Sequence, residues 1–207
     1  MVILSSLLIG YILGSIPTAY LLLKKTHGLD IRVNGSGNVG AMNSYEVTNS
    51  KKIGLIVFLF DAFKGWLSCL AAYHLIDKDF IYPMIALTSS VFAHCYSPWL
   101  KFKGGKGLAT AAGGAFFISL PVLIVWGVIW LITFLISKNI NVGNIFATLS
   151  SIIISFLIPG VMINYSFISP DNNFTFSLSV SLLMLIIFSK HKNDIKDYIK
   201  SLKTNKE

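Results

Sequence analysis

Charge is scarce in this 207-residue chain: Asp, Glu, Lys and Arg together make up only 13% of it. A soluble domain carries about 25%, because its surface has to meet water. The shortage therefore excludes an ordinary water-soluble fold. Cysteine is nearly absent too. Cys69 and Cys95 both sit in apolar runs without metal-ligand spacing, so they read as buried packing residues and not as a metal site. There is no internal repeat and no low-complexity linker, which leaves a single domain over residues 1–207. No cleavable leader is expected: the first apolar run starts at residue 2 with no basic stretch before it, and it reads as a retained span.

What fills the chain is apolar sequence, 54% of residues with a mean hydropathy of +0.70. Apolar runs occupy 2–23, 53–76, 80–100, 108–136, 144–168 and 174–189. Each span of a helical membrane protein needs about 20 such residues. The fourth run is too long for one ordinary span and contains Gly113, Gly114 and Pro121, which break or kink helices. Splitting it into 108–119 and 121–137 gives seven spans.

Basic residues support the split, because Lys and Arg accumulate in cytoplasmic loops. With seven spans and an outside N-terminus, fifteen of the seventeen basic residues fall inside and only Lys78 falls outside, with Lys64 left within a span. With six spans, the tail lysines 190, 192, 196, 200, 203 and 206 move to the opposite side from the first two basic loops. The expected fold is thus an all-α integral membrane protein of about seven helices with short cytoplasmic functional loops. The net charge of +8 follows from this orientation and needs no nucleic acid. A basic inner face also suits anionic lipid headgroups and phosphorylated substrates.

Four polar stretches interrupt the apolar pattern. The first, "RVNGSGNVGAMN", has the Gly35-x-Gly37-x-x-Gly40 spacing of a dinucleotide loop, but it joins two membrane spans with no strand before it. The spacing still suits a backbone nest for phosphate oxygens, with Ser36, Asn38 and Asn43 as extra donors. A tight interfacial turn with capping asparagines is the plainer reading. The second, "HCYSPWLKFKGGKGLAT", lacks the Ser or Thr of a Walker loop, since Gly107 follows Lys106. Lys103 and Lys106 bracket Gly104 and Gly105 just before a helix start, a second anion site; the alternative is a positive-inside anchor. The third, "FDAFKGW", places Asp61 and Lys64 at i, i+3 inside an apolar span, where they pair either to support a loop or to hold the bundle. The fourth, "SKHKNDIKDYIK", puts His191 where the last span leaves the membrane on the same side as the two glycine-rich loops.

Taken in order, "SGNVGAMN", "DAFKG", "HCYSPWLKFKGGKGLAT" and "KHKNDI" resemble the acyl-phosphate-dependent glycerol-3-phosphate acyltransferases, the PlsY family. The likeness runs along nearly the whole chain, and "KFKGGKGLAT" is its most specific part. It implies a seven-helix protein of the bacterial inner membrane that joins a fatty acyl phosphate to the 1-hydroxyl of glycerol 3-phosphate. It implies no metal, no other cofactor and no acyl-enzyme intermediate. Membrane lipids and an enzyme that produces acyl phosphate are the implied partners.

By the same resemblance, Ser36, Lys106 and His191 are the catalytic residues. Gly37, Asn38, Gly40, Asn43, Lys103, Gly104, Gly105, Gly107 and Asp194 bind substrate, with Asp61, Lys64 and His94 as support. The chain departs from the family pattern at Met42 (Thr expected), Glu46 (Arg), Lys190 (Arg), Asp194 (Asn) and Asp197 (Arg). A carboxylate beside a phosphate is repulsive by about 1–4 kcal/mol at about 4 Å. Those departures keep two further readings open: a divergent paralogue that uses another acceptor, and a non-catalytic lipid-binding membrane protein.

Overall fold

The computed structural model of the protein describes residues 1–204, with side chains through Lys200. Lys206 lies outside the described residues, as does the side chain of Lys203. Among the described residues every regular element is helical. They form two compact units, Met1–Ile118 and the described residues from Ser119 onward.

In the first unit the opening apolar run is two helices, α1 (Val2–Ser15) and α2 (Thr18–His27), which together make one span-length element. The break falls at Ile16, which is extended (φ −61°, ψ 114°) because the ring of Pro17 disfavours helical backbone in the residue before it. Gly28 ends α2 at φ +67°, a left-handed cap that glycine adopts without a Cβ penalty. A 3-10 turn (Ile31–Val33), α3 (Ala41–Thr48) and α4 (Lys51–Leu75) follow. Next come α5 (Ile81–Cys95), a second 3-10 turn (Pro98–Leu100) and α6 (Leu108–Ile118).

Glycines set how closely these helices approach. A Cβ at Gly10 would stand 2.0 Å from the Ala86 carbonyl oxygen, and one at Gly14 2.1 Å from that of Ser90, so α1 lies directly against α5. Gly65 and Gly113 do the same between α4 and α6, at 1.9 Å from the Thr110 oxygen and 1.8 Å from the Ala62 oxygen. Lipid gives helices no hydrophobic reason to associate, so close backbone approach and interhelical hydrogen bonds supply the attraction. One such bond runs from Ser89 Oγ on α5 to the Leu7 carbonyl on α1, at 2.8 Å.

The second unit holds α7 (Leu120–Ser137), α8 (Ile140–Leu157), α9 (Pro159–Asn164), α10 (Asn173–Ser189) and α11 (Lys192–Thr204). The long fourth run does divide, at Ser119, with Pro121 in the first turn of α7 where its missing N–H costs nothing. The 144–168 run is not one helix. It begins earlier, at Ile140, where Asn139 caps the N–H groups of Asn141 and Val142, and it breaks before Pro159. The basic junction after the last span is also helical: α11 turns away from α10 by 56°.

Trp126, Trp130 and Phe134 stack along α7, and Trp126 Nε1 donates to Thr148 Oγ1 of α8 at 3.2 Å. The remaining faces of α7 expose Ile124, Val128, Leu131, Ile132 and Leu135, as a helix bathed in lipid would. Among the described residues four helical elements are long and apolar enough to cross a membrane: Val2–His27, Lys51–Leu75, Leu120–Ser137 and Ile140–Leu157. The bent pair of α10 and α11 makes a fifth if the two are counted as one span. The helices α5 and α6 are shorter than that criterion, so the expected count of seven is not reached on length alone.

Candidate active site

Both glycine-rich loops belong to the first unit, and they rest on the same hydrophobic cluster. Ile31 and Val39 from the first loop and Leu100 from the second are buried with Ala19 and Leu23 of α2 and Val57 of α4. Asp30 caps the first 3-10 turn and grips Arg32 with both carboxylate oxygens, at 2.9 and 2.6 Å. The hydrogen-bonded guanidinium holds the Asp30 carboxyl at about 2, well under its usual value. Arg32 also lies over the Tyr20 ring at 4.9 Å.

The organiser of the first loop is Asn43, buried at the start of α3. Its Oδ1 accepts the Ser36 N–H at 2.9 Å, and its Nδ2 donates toward the carbonyls of Asn38, Asn34 and Ile31 at 2.9, 3.1 and 3.4 Å. Gly35 and Gly37 take positive φ (+59° and +71°), and a Cβ at Gly35 would stand 2.2 Å from Asn43 Oδ1. The Asn43 amide, expected to bind substrate, is thus engaged in shaping the loop. So are several amides expected to form a phosphate nest: Gly37 N–H donates to Asn34 and Gly40 N–H to Asn38, each at 3.1 Å. The Ser36 side chain lies at the exposed surface, as does Glu46 on α3.

The second loop shows the same inward use of its glycines. Gly104 N–H donates to the Cys95 carbonyl at 3.2 Å and Gly105 N–H to the His94 carbonyl at 3.1 Å. A Cβ at Gly104 would stand 2.0 Å from the His94 oxygen, so only glycine lets the loop return this closely to the end of α5. Gly107, at φ +83°, leads into α6, whose first N–H groups have no intrahelical acceptor. Lys103 is exposed and Lys106 half-buried. The Ser36 and Lys103 side chains thus remain exposed, while the Gly104 and Gly105 amides are spent on the end of α5.

Behind the loops lies the buried ion pair. Lys64 Nζ donates to Asp61 Oδ1 at 2.8 Å, to His94 Nδ1 at 2.8 Å and to the Ile16 carbonyl at 3.0 Å. An ammonium only donates, so His94 Nδ1 accepts and its proton sits on Nε2. That nitrogen faces the second loop: a Cβ at Gly105 would stand 2.2 Å from it. The three side chains join α4, the break between α1 and α2, and the second loop. Sequence reading placed Asp61, Lys64 and His94 as support, and the structure brings all three together.

Two serines escaped the sequence reading. Ser97 Oγ donates to the Ser15 carbonyl at 2.9 Å, and Trp99 Nε1 donates to Ser15 Oγ at 3.0 Å. They fasten the second loop to the end of α1, beside a recess of about 10 Å³ lined by Pro17, Val39 and His94 among others. The only signal was Pro17 inside an apolar run.

His191 belongs to the second unit, between α10 and α11, and is fully buried. Its Nδ1 meets Asp194 Oδ2 at 2.7 Å, while its buried Nε2 has no hydrogen-bond partner among the described residues. An unmet buried acceptor or donor costs about 1–3 kcal/mol. Asp194, expected to bind substrate, has its Oδ2 against His191 Nδ1.

The family model described as glycerol-3-phosphate acyltransferase matches residues 4–201. A glycerol-3-phosphate acyltransferase of Ehrlichia canis (strain Jake) is 36% identical over 203 residues, covering 98% of this chain and 97% of that protein. Its counterpart in Pelagibacter ubique (strain HTCC1062) is 35% identical over 90% of this chain and 88% of its own length. The crystal structure of PlsY (YgiH), an integral membrane glycerol 3-phosphate acyltransferase, in its glycerol 3-phosphate form aligns with a TM-score of 0.79 at 31% identity, covering 96% of this chain and 92% of that one. The lysophosphatidic acid form of the same protein aligns at 0.77 and 30%, with the same coverage.

Proposed function

The chain belongs to the glycerol-3-phosphate acyltransferase family, and on that premise we propose that it moves an acyl group from an acyl phosphate to the 1-hydroxyl of glycerol 3-phosphate, giving lysophosphatidate and phosphate. It is an acyltransferase of phospholipid biosynthesis and an integral membrane protein. The observation that carries the substrate assignment is the convergence of the first and second loops on one hydrophobic cluster, with Ser36 and Lys103 exposed beside it.

An acyl phosphate is already activated, so catalysis needs positioning and charge stabilisation more than a nucleophilic side chain. The acceptor oxygen attacks the acyl carbon, and the bond from that carbon to the phosphate oxygen breaks. Ser36, Lys103 and Lys106 hold phosphoryl oxygens and offset the charge that develops. Gly37, Asn38, Gly40 and Asn43 keep the first loop in shape around Ser36, and Gly104, Gly105 and Gly107 do so for the second. Asp61, Lys64 and His94 brace both from behind. His191 orients the acceptor hydroxyl.

The topology that fits this chemistry has seven crossings of the bacterial inner membrane, formed by α1 with α2, α4, α5, α6, α7, α8 and α10. Both loops and the C-terminus are then cytoplasmic, where glycerol 3-phosphate is found, and residues 1–207 act as one catalytic domain. An enzyme that makes acyl phosphate supplies the donor. The contact of Asp194 Oδ2 with His191 Nδ1 at 2.7 Å supports this reading, because it gives the carboxylate a partner within the fold.

The test is replacement of the charge-stabilising groups. Lys106→Ala is expected to lower kcat by about 100-fold, the usual cost of losing one oxyanion-stabilising donor. Ser36→Ala is expected to raise KM for glycerol 3-phosphate or for acyl phosphate. Full activity in a folded Lys106→Ala protein overturns the scheme.

A further inference from the structure

The second loop stores backbone strain outside its glycines. Four non-glycine residues take positive φ among the described residues, and only Lys101 and Phe102, at +54° and +61°, are neighbours. A left-handed backbone is costly for a residue with a Cβ and persists only where its surroundings fix it. Here backbone hydrogen bonds do so. Phe102 N–H donates to the Ser97 carbonyl at 2.9 Å, Lys101 N–H to that of Pro98 at 3.3 Å and Lys103 N–H to that of Leu100 at 3.1 Å. The turn sorts the side chains by direction. Leu100 is 1% exposed in the hydrophobic cluster, whereas Trp99 and Phe102 are 70% and 62% exposed. Trp99 gives its indole N–H to the fold, at 3.0 Å from Ser15 Oγ, so what it shows outward is apolar ring. Lys101 and Lys103 are exposed beside the two rings. In water, strain that turns a phenylalanine outward gains nothing, because exposed apolar surface is unfavourable there. At a bilayer surface it does gain: aromatic rings settle at the headgroup level, and lysines reach anionic phosphates. The loop joins α5 to α6 in an integral membrane protein, so a bilayer is the surface at hand.

We propose that residues 99–103 are the membrane-contacting edge of the second loop, with the Trp99 and Phe102 rings in the headgroup layer and Lys101 facing lipid phosphates. The consequence rests on the acyltransferase reading above: Phe102 is a positioning residue for the acyl phosphate. That donor keeps its chain in the bilayer and its phosphoryl group at the headgroup level. The ring fixes the depth of its neighbour Lys103, and so the level at which that ammonium meets the phosphoryl oxygens. Glycerol 3-phosphate has no apolar chain and arrives from water, so its binding does not depend on that depth.

The experiment uses the full chain with Cys69 and Cys95 replaced, in nanodiscs of phosphatidylcholine and phosphatidylglycerol with or without brominated acyl chains. A bimane label on Phe102→Cys is expected to be quenched by the brominated chains at least roughly half as strongly as one on Leu131→Cys, on the lipid-bathed face of α7. Iodide added in water is expected to quench it weakly. In the chain with its own cysteines, Phe102→Gly takes φ +61° without a Cβ penalty, so its Tm in detergent is expected to be unchanged or higher. Its KM for a long-chain acyl phosphate in nanodiscs is nevertheless expected to rise about fivefold, the scale of losing part of one ring from apolar surroundings, with KM for glycerol 3-phosphate within about twofold. A lower Tm with both KM values raised together assigns the ring to the fold and overturns the proposal. Strong iodide quenching with none from brominated lipid places the ring in water and also overturns it. So does a label shielded from iodide only when an acyl-phosphate-producing enzyme is added, which makes the patch a protein-docking surface. An inactive native chain sinks the acyltransferase reading instead, and the quenching still decides the lipid contact.

Discussion

At the scale of single residues, the loops are shaped by side chains whose hydrogen bonds are spent within the fold. Asn43 is the clearest case, since one amide ties four backbone groups of the first loop together. Asn43→Ala leaves those groups without their side-chain partner, and each one buried and unmet costs about 1–3 kcal/mol. Thermal unfolding is expected to show a destabilisation of at least about 2 kcal/mol, with kcat/KM falling too; an unchanged Tm and rate would remove Asn43 from this role. Asp30 offers a test with a defined pH window. Its carboxyl is depressed from 3.8 to about 2 by Arg32, so its contribution is full above 3.8 and is lost as pH falls through 2. Asp30→Asn is therefore expected to be destabilising at pH 6 and to match the native chain near pH 2, read from unfolding curves at both values. The motif residues themselves were legible in the sequence, because glycine, lysine and histidine in an apolar chain have few reasons to be there. The direction of their hydrogen bonds was not. Whether a glycine N–H faces a phosphate or a neighbouring carbonyl depends on the return of a loop onto α5, which spacing does not encode.

At the scale of elements, long apolar runs gave most helices to within a few residues, and Pro121 gave the division of the fourth run. Three features needed the fold. The break at Ile16 follows from Pro17, yet an apolar run with one proline also describes a kinked single helix. The helix α3 is too short and polar to show a period. The basic tail alternates lysine with Ile195, Tyr198 and Ile199, a helical pattern that a lysine-rich junction concealed. Glycine-mediated contact between α4 and α6 makes a sharp prediction. Gly113→Val forces a Cβ to within 1.8 Å of the Ala62 carbonyl oxygen and is expected to cost about 1–3 kcal/mol of stability or more. Gly127→Ala on α7, where nothing lies within 4 Å, is the control and is expected to be neutral or stabilising by up to about 1 kcal/mol. Equal effects of the two on Tm would contradict the packing described for α4 and α6.

At the scale of the whole molecule, an unusual shortage of charge, a lysine asymmetry between loops and four ordered motifs were enough to reach the family. The number of crossings was harder to reach, because α5 and α6 are too short to be judged by length and only the placement of lysines argues that they span. Single cysteines placed in the 77–79 turn and near Lys200, in a chain with Cys69 and Cys95 replaced, address that directly. The turn is expected to be labelled from outside intact cells and the tail only after permeabilisation; labelling of both from the same side would refute seven crossings. The central claim concerns the reaction, and the measurement closest to it is phosphate release by the purified chain from a long-chain acyl phosphate, with glycerol 3-phosphate, with glycerol, and with neither. Release that depends on glycerol 3-phosphate, matched mole for mole by lysophosphatidate, is the predicted result. Release at the same rate without that acceptor, or none at all from folded protein that still binds acyl phosphate, would contradict it.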